Sequence, residues 1–99
     1  MEIKKTQNGN SLTIAVSGRL DTNTSRRLEK ELSTALLEIE SLIFDFSELE
    51  YVSSAGLRVL LGAQKAMSDR GGIVIRNANQ SVMDVFDITG FTDIFNIEE

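Results

Sequence analysis

Ninety-nine residues, 41% hydrophobic and 25% charged, are enough for one compact core and leave no room for a second, so a single domain over residues 1–99 is expected. The chain contains neither cysteine nor histidine, which excludes disulfides, thiolate and imidazole metal sites, a thiol nucleophile and any Ser-His-Asp hydrolase. A net charge of −5 opposes direct nucleic-acid binding, which needs a basic surface to neutralise phosphates, and a protein is the expected partner.

Hydrophobic spacing predicts the elements in turn. Glu2 to Thr6 and Ser11 to Ser17 read as two strands, because Leu12, Ile14 and Val16 alternate with polar neighbours and Asn8-Gly9-Asn10 between the runs is a hairpin signal. Leu28, Leu32, Ala35, Leu36 and Ile39 then fall at i, i+4, i+7, i+8 and i+11, one face of an amphipathic helix preceded by the cap-rich Asp21-Thr22-Asn23-Thr24-Ser25. Leu42, Ile43 and Phe44 form a short continuous apolar run suited to a central strand, closed by Asp45.

The run Asp45 to Leu61, DFSELEYVSSAGLRVLL, is the most informative part of the chain. Leu57, Leu60, Leu61 and Met67 recur at helical spacing, which predicts a helix from Ala55 to Met67 with Ser53 and Ser54 at its N-terminus. Backbone N–H groups there lack intrahelical partners and favour a capping hydroxyl or an anion. Capping alone accounts for one serine of the pair. The helix is largely apolar, with Arg58, Gln64 and Lys65 as its clearest polar positions, so most of it is expected to pack on the sheet. Gly62 within it reads as a close backbone contact or a weak helix position, and Arg26-Arg27 as solvated helix surface.

Gly71-Gly72 stops this helix ahead of a strand, Ile73-Val74-Ile75. Asn77-Ala78-Asn79 opens a further helix lined by Val82, Val85 and Phe86 and ended by Gly90, after which Phe91, Ile94 and Phe95 anchor a last helical turn or short edge strand. No apolar stretch approaches the roughly 18 to 20 residues that span a bilayer, and Met1-Glu2-Ile3-Lys4-Lys5 lacks the apolar core of a signal peptide, so a soluble cytoplasmic protein is expected.

Strands alternating with helices after a hairpin give an α/β domain with a mixed sheet and right-handed crossovers. A site in such a fold belongs beyond the strand ends. Asp21 follows the second strand, and Asp45 with the Ser53-Ser54 loop follows the third, so these segments are expected to meet at one edge. Carboxylates at strand ends invite comparison with phosphoaspartate enzymes, which hold magnesium on hard oxygen ligands. The spacing fits poorly, because Asp-x-Asp is replaced by Asp45-Phe46-Ser47 and no second adjacent acidic pair follows. Gly56 to Gly62 likewise lacks the Lys-Ser/Thr of a P-loop. No catalytic residue, metal site or cofactor is expected.

Asp45-Phe46-Ser47 followed by Tyr51-Val52-Ser53-Ser54-Ala55-Gly56-Leu57 resembles the signature of the STAS domain family. Gly18-Arg19-Leu20-Asp21 is similar to the family's Gly-x-Leu-Asp segment, and Phe86 to Phe95 to its Phe-x-x-x-Gly-hydrophobic ending, so the resemblance covers nearly the full chain. It points to the stand-alone bacterial anti-sigma factor antagonists. The domain also occurs as tails of anion transporters, but the want of a membrane segment points to the free-standing branch. The resemblance implies a STAS-type single domain: a mixed sheet of four to five strands opening with an antiparallel hairpin, packed with three to four helices.

It further implies that the unphosphorylated protein binds an anti-sigma factor, itself an ATP-dependent serine/threonine kinase, and so releases a sigma factor. Ser54 stands in the register of the phosphoacceptor. Its phosphorylation would end the complex, and a serine phosphatase would restore it. Ser53 occupies a position that is often Asp in the best-known members, which leaves open whether it can substitute for Ser54. Ser53, Ser54, Ala55 and Gly56 form the implied partner-binding loop, and Asp21 beside them either helps to hold the kinase or caps the first helix. Ser47 is read as a turn residue, and Tyr51 as an anchor of the loop in the core. The other class that the resemblance admits is a phosphorylation-independent scaffold or sensor-complex component.

Overall fold

The computed structural model describes residues 1–98. Strands β1 (Glu2–Asn8) and β2 (Ser11–Leu20) form an antiparallel hairpin. There follow α1 (Thr22–Ala35), β3 (Ser41–Asp45), β4 (Leu49–Val52), α2 (Ser54–Ala66), β5 (Ile73–Arg76), α3 (Gln80–Thr89) and β6 (Asn96–Glu98). The sheet order is β1-β2-β3-β5-β6, every pairing after the hairpin is parallel, and β4 pairs with the far end of β2. This is the expected mixed α/β architecture, with six strands in place of four to five. The strand that spacing does not reveal is β4: it buries only Leu49 and Val52 at its ends, so it lacks an alternating pattern.

The hairpin is tighter than its sequence signal. Asn8 pairs with Ser11, so the loop is Gly9-Asn10, and only Gly9 takes positive φ (64°), as a type II′ turn requires. The strand register then builds the core. Leu12 lies beside Leu42 and Leu42 beside Ile73, while Ile14, Phe44 and Ile75 form the next rung; all six side chains are buried beneath the helices. Onto them pack Leu28 and Leu32 of α1, Leu57, Leu60 and Ala63 of α2, and Val82 and Phe86 of α3. The alternate residues make the opposite face, where Lys4, Ala15, Asp45, Arg76 and Glu98 lie side by side across five strands.

Two expectations fail at element ends. Helix α1 stops at Ala35, so Ile39 is not on its face; it is buried from the α1–β3 loop. That loop is held by Arg70, in the 3₁₀ turn Ser68–Arg70, whose guanidinium donates to the carbonyl oxygens of Leu36 (3.0 Å), Ile39 (2.7 Å) and Ala66 (3.3 Å). In the tail, Phe95 packs edge-on against both Phe86 (5.6 Å between centroids) and Phe91 (5.3 Å), whereas Ile94 is 42% exposed and anchors nothing. Among the described residues no helix is long and apolar enough to cross a membrane.

Arg70→Met keeps the aliphatic stem but removes three charge-assisted hydrogen bonds, two to carbonyls of the α1–β3 loop and one to the end of α2. The expected cost is about 2 kcal/mol, measured as a lower urea midpoint at unchanged m-value.

Candidate functional site

The parallel pairing of Leu20 with Val52 ends β2 and β4 at the same level. The Ser53 N–H donates to the Leu20 carbonyl oxygen (2.8 Å), and the chain enters α1 from one strand and α2 from the other, so the two helices begin side by side. Both starts are capped. Asp21 closes a capping box on α1: its Oδ1 accepts from the main-chain N–H groups of Asn23 and Thr24 (3.0 Å each), while its own N–H donates to the Thr24 hydroxyl (2.8 Å). Ser53 is the N-cap of α2, its Oγ accepting from Gly56 N–H at 3.2 Å.

Ser54 differs from Ser53 in both respects that bear on reactivity. It is the first residue of α2 and is exposed, and among the described residues its hydroxyl makes no hydrogen bond; Ser53 is half-buried and committed to the cap. Ala55 is half-buried and Gly56 fully buried. A Cβ on Gly56 would lie 2.9 Å from side-chain carbons of both Leu20 and Val52, so glycine lets the first turn of α2 settle onto the strand ends. Gly62 is the opposite case: a Cβ there would meet nothing within 4 Å, and it is simply a weak helix residue.

Asp21, Ser53, Ser54, Ala55 and Gly56 thus share one end of the domain. Asp45 does not join them. It pairs in register with Ala15, whereas Asp21 lies six residues further along that line, about 20 Å at 3.3 Å per residue. Its Oδ1 instead accepts from Ser47 N–H (3.0 Å) and Asn77 Nδ2 (3.1 Å), closing the turn after β3. Ser47 takes part in that turn through its main chain. Tyr51 is not a core anchor either: it is 39% exposed on β4, and the Arg19 guanidinium stacks 4.3 Å above its ring. Among the described residues no three acidic side chains converge as a metal site would require.

Hydrogen bonds hold both strand-end carboxyls below the ordinary carboxylate range: Asp21 through the Thr24 main chain and then its hydroxyl, Asp45 through the Asn77 side chain and then the Ser47 N–H. A feature that sequence reasoning passes over is the groove between the helices, lined by Thr22, Arg26, Glu29, Ala55 and Arg58. Its signal is the repeated spacing of a hydroxyl residue and an arginine four positions on, Thr22 to Arg26 and Ser54 to Arg58.

The STAS domain model matches residues 2–99, and the chain belongs to that family. Two relatives carry names of one kind. A candidate anti-sigma factor antagonist of Bordetella bronchiseptica, BtrV, is 34% identical over 87% of this chain and 76% of its own length. The anti-sigma-B factor antagonist of Bacillus subtilis is 28% identical over 92% of this chain and 84% of its own. Among solved structures, the anti-sigma factor antagonist SpoIIAA in its unphosphorylated form has the same fold, with a TM-score of 0.84 at 20% identity, covering 99% of this chain and 89% of that one. The phosphorylated form of the Bacillus cell fate determinant SpoIIAA gives a TM-score of 0.76 at 19% identity, covering 99% and 92%.

The two helix glycines are expected to respond in opposite directions. Gly56→Ala destabilises by about 1 to 3 kcal/mol through overpacking, and Gly62→Ala stabilises by up to about 1 kcal/mol, both measured by urea unfolding. A second expectation concerns acid. A carboxyl that binds its proton less tightly folded than unfolded contributes stability above its unfolded value, near 3.8, and loses it as pH falls through the lower folded value. Asp45→Asn should therefore lose less stability than the parent as pH falls below about 4, read in thermal melts.

Proposed function

We propose that this chain is an anti-sigma factor antagonist: unphosphorylated, it binds an anti-sigma factor that is a serine/threonine kinase and releases the sigma factor, and phosphorylation of Ser54 ends that complex. The observation that carries the reading is the exposed, uncommitted hydroxyl of Ser54 at the start of α2, next to a Ser53 already engaged as cap. The names of the relatives supply the direction of the regulation. On this reading the protein is a cytoplasmic single domain that acts by binding, with no catalytic group and no cofactor of its own.

In the phosphorylation step the Ser54 oxygen attacks the γ-phosphorus of the kinase's ATP. The bond to the β,γ-bridging oxygen breaks, ADP leaves, and the hydroxyl proton passes to a base of the kinase. A serine phosphatase reverses the result by hydrolysis. Asp21 contributes by holding the neighbouring helix start in place, and Ser53, Ala55 and Gly56 fix the height at which Ser54 is presented.

Why a phosphate ends binding follows from charge and space. It adds about −1.5 to −2 charges and three acceptor oxygens to a small neutral contact point. The α2 N-terminus tolerates that charge in the isolated domain, because its N–H groups and dipole favour an anion. A partner seated on the same point would have to desolvate it. A penalty of about 3 kcal/mol weakens association more than a hundredfold, enough to exchange partners.

The test is affinity capture from native-host lysate with folded Ser54→Ala and Ser54→Asp baits, matched by circular dichroism. A serine kinase retained by the alanine bait and released by the aspartate bait is the expected result. Equal retention of the same partners by both baits would remove phosphorylation control and favour a scaffold.

A further inference from the structure

Ser54 and Arg58 are one helical turn apart on α2, the spacing at which side chains meet on a helix surface, with Cβ atoms about 5 to 6 Å apart. Thr22 and Arg26 repeat the arrangement on α1, and because Leu20 and Val52 are paired in register, the two helix starts and their arginines face one groove. Both arginines are exposed. Among the described residues neither guanidinium has a carboxylate within ion-pair distance, although the chain carries a net charge of −5. Neither helix has an acidic residue in its first turn, where one is normally favoured. The other charged groups at this end are accounted for: Asp21 caps α1, Arg19 stacks on Tyr51, and Glu29 sits further along the groove.

We infer that Arg58, aided by Arg26 across the groove, receives the phosphate once Ser54 is phosphorylated, so that the modified site is an internal phosphoserine–arginine pair. This rests on the reading of Ser54 as the modified residue. A phosphate offers three acceptor oxygens, and a guanidinium can donate two parallel N–H groups to them. One turn of helix gives Arg58 the reach without any movement of the backbone. Phosphorylation then changes the surface twice over: it adds negative charge at Ser54 and withdraws the guanidinium of Arg58 from contact with a partner. Arg58 is a positioning residue in this scheme, and it touches no reacting atom during phosphoryl transfer.

The experiment places phosphoserine at position 54 during translation, so that neither a kinase nor a binding partner is needed and its failure is separable from failure of the partner-capture test. The phosphorus-31 chemical shift is followed from about pH 4 to pH 8, bracketing the second phosphate ionisation near 6. Loss of Arg58 in Arg58→Gln is expected to raise that midpoint by about 0.2 to 0.4 unit, the equivalent of an ordinary helical i,i+4 ion pair. Arg58→Lys should recover part of the shift, and Arg26→Gln should raise the midpoint by a smaller amount. Circular dichroism checks that each variant is folded; should Arg58→Gln fail that check, the comparison of the parent with Arg58→Lys and Arg26→Gln decides. Identical midpoints in the parent and the folded variants would overturn the inference.

Discussion

The last turn of pairing between β2 and β4 is the constraint on which the candidate site depends. β2 is ten residues long and is shared, its first half by β3 and its end by β4; the partner changes between Ala15 and Gly18, and a register irregularity follows within the β4 pairing, between Gly18 and Arg19. Because Leu20 and Val52 finish together, two helices that are separate in sequence begin at one level. Gly56 then lets α2 approach closely enough for its first turn to rest on the side chains of both strands. Without that approach the Ser54 hydroxyl would have no fixed height relative to α1.

A site made this way is rigid for ordinary packing reasons. Leu20, Val52, Leu57 and Leu60 are all at most 5% exposed, and both helix starts are capped by side chains. Rigidity suits the proposed function, in which a modification that changes only local charge needs no conformational change to be felt by a partner. Beside the site stand two long exposed arginine side chains, Arg26 and Arg58, which can turn toward a new anion at little cost to the fold.

Much of this was legible in the sequence, for identifiable reasons. The periodicity of Leu28 and Leu32 marks α1, and the uninterrupted Leu42-Ile43-Phe44 marks β3, since long or strongly apolar elements carry their own pattern. Ser53-Ser54 could be placed at a helix start because capping preference is local. What spacing does not carry is tertiary. Ile39 continues the helical period of α1 yet is buried from a loop that Arg70 holds from 31 residues away. Tyr51 has the composition of a core residue, but its strand has only one sheet neighbour and leaves the ring half in solvent beneath Arg19. Asp21 and Asp45 both follow strands, but only register reveals that those strands end at different levels. The arginine pair is visible as two i,i+4 spacings, and only the alignment of the helices gives it meaning.

The far edge of the sheet has a different character. Among the described residues β6 is three residues long and pairs only with β5, and it carries an exposed ion pair, Arg76 to Glu98 at 2.7 Å, which added salt weakens. So little buried contact gives this strand a low free energy of local opening compared with the global unfolding that exposes β3. Its amides therefore exchange with solvent long before those of the central strands, and the grip of Phe95 on Phe86 and Phe91 sets how far such fraying runs back toward α3. The end that presents Ser54 lies at the strands β2 and β4, outside this fraying unit, so the C-terminal edge can breathe while the start of α2 stays in place.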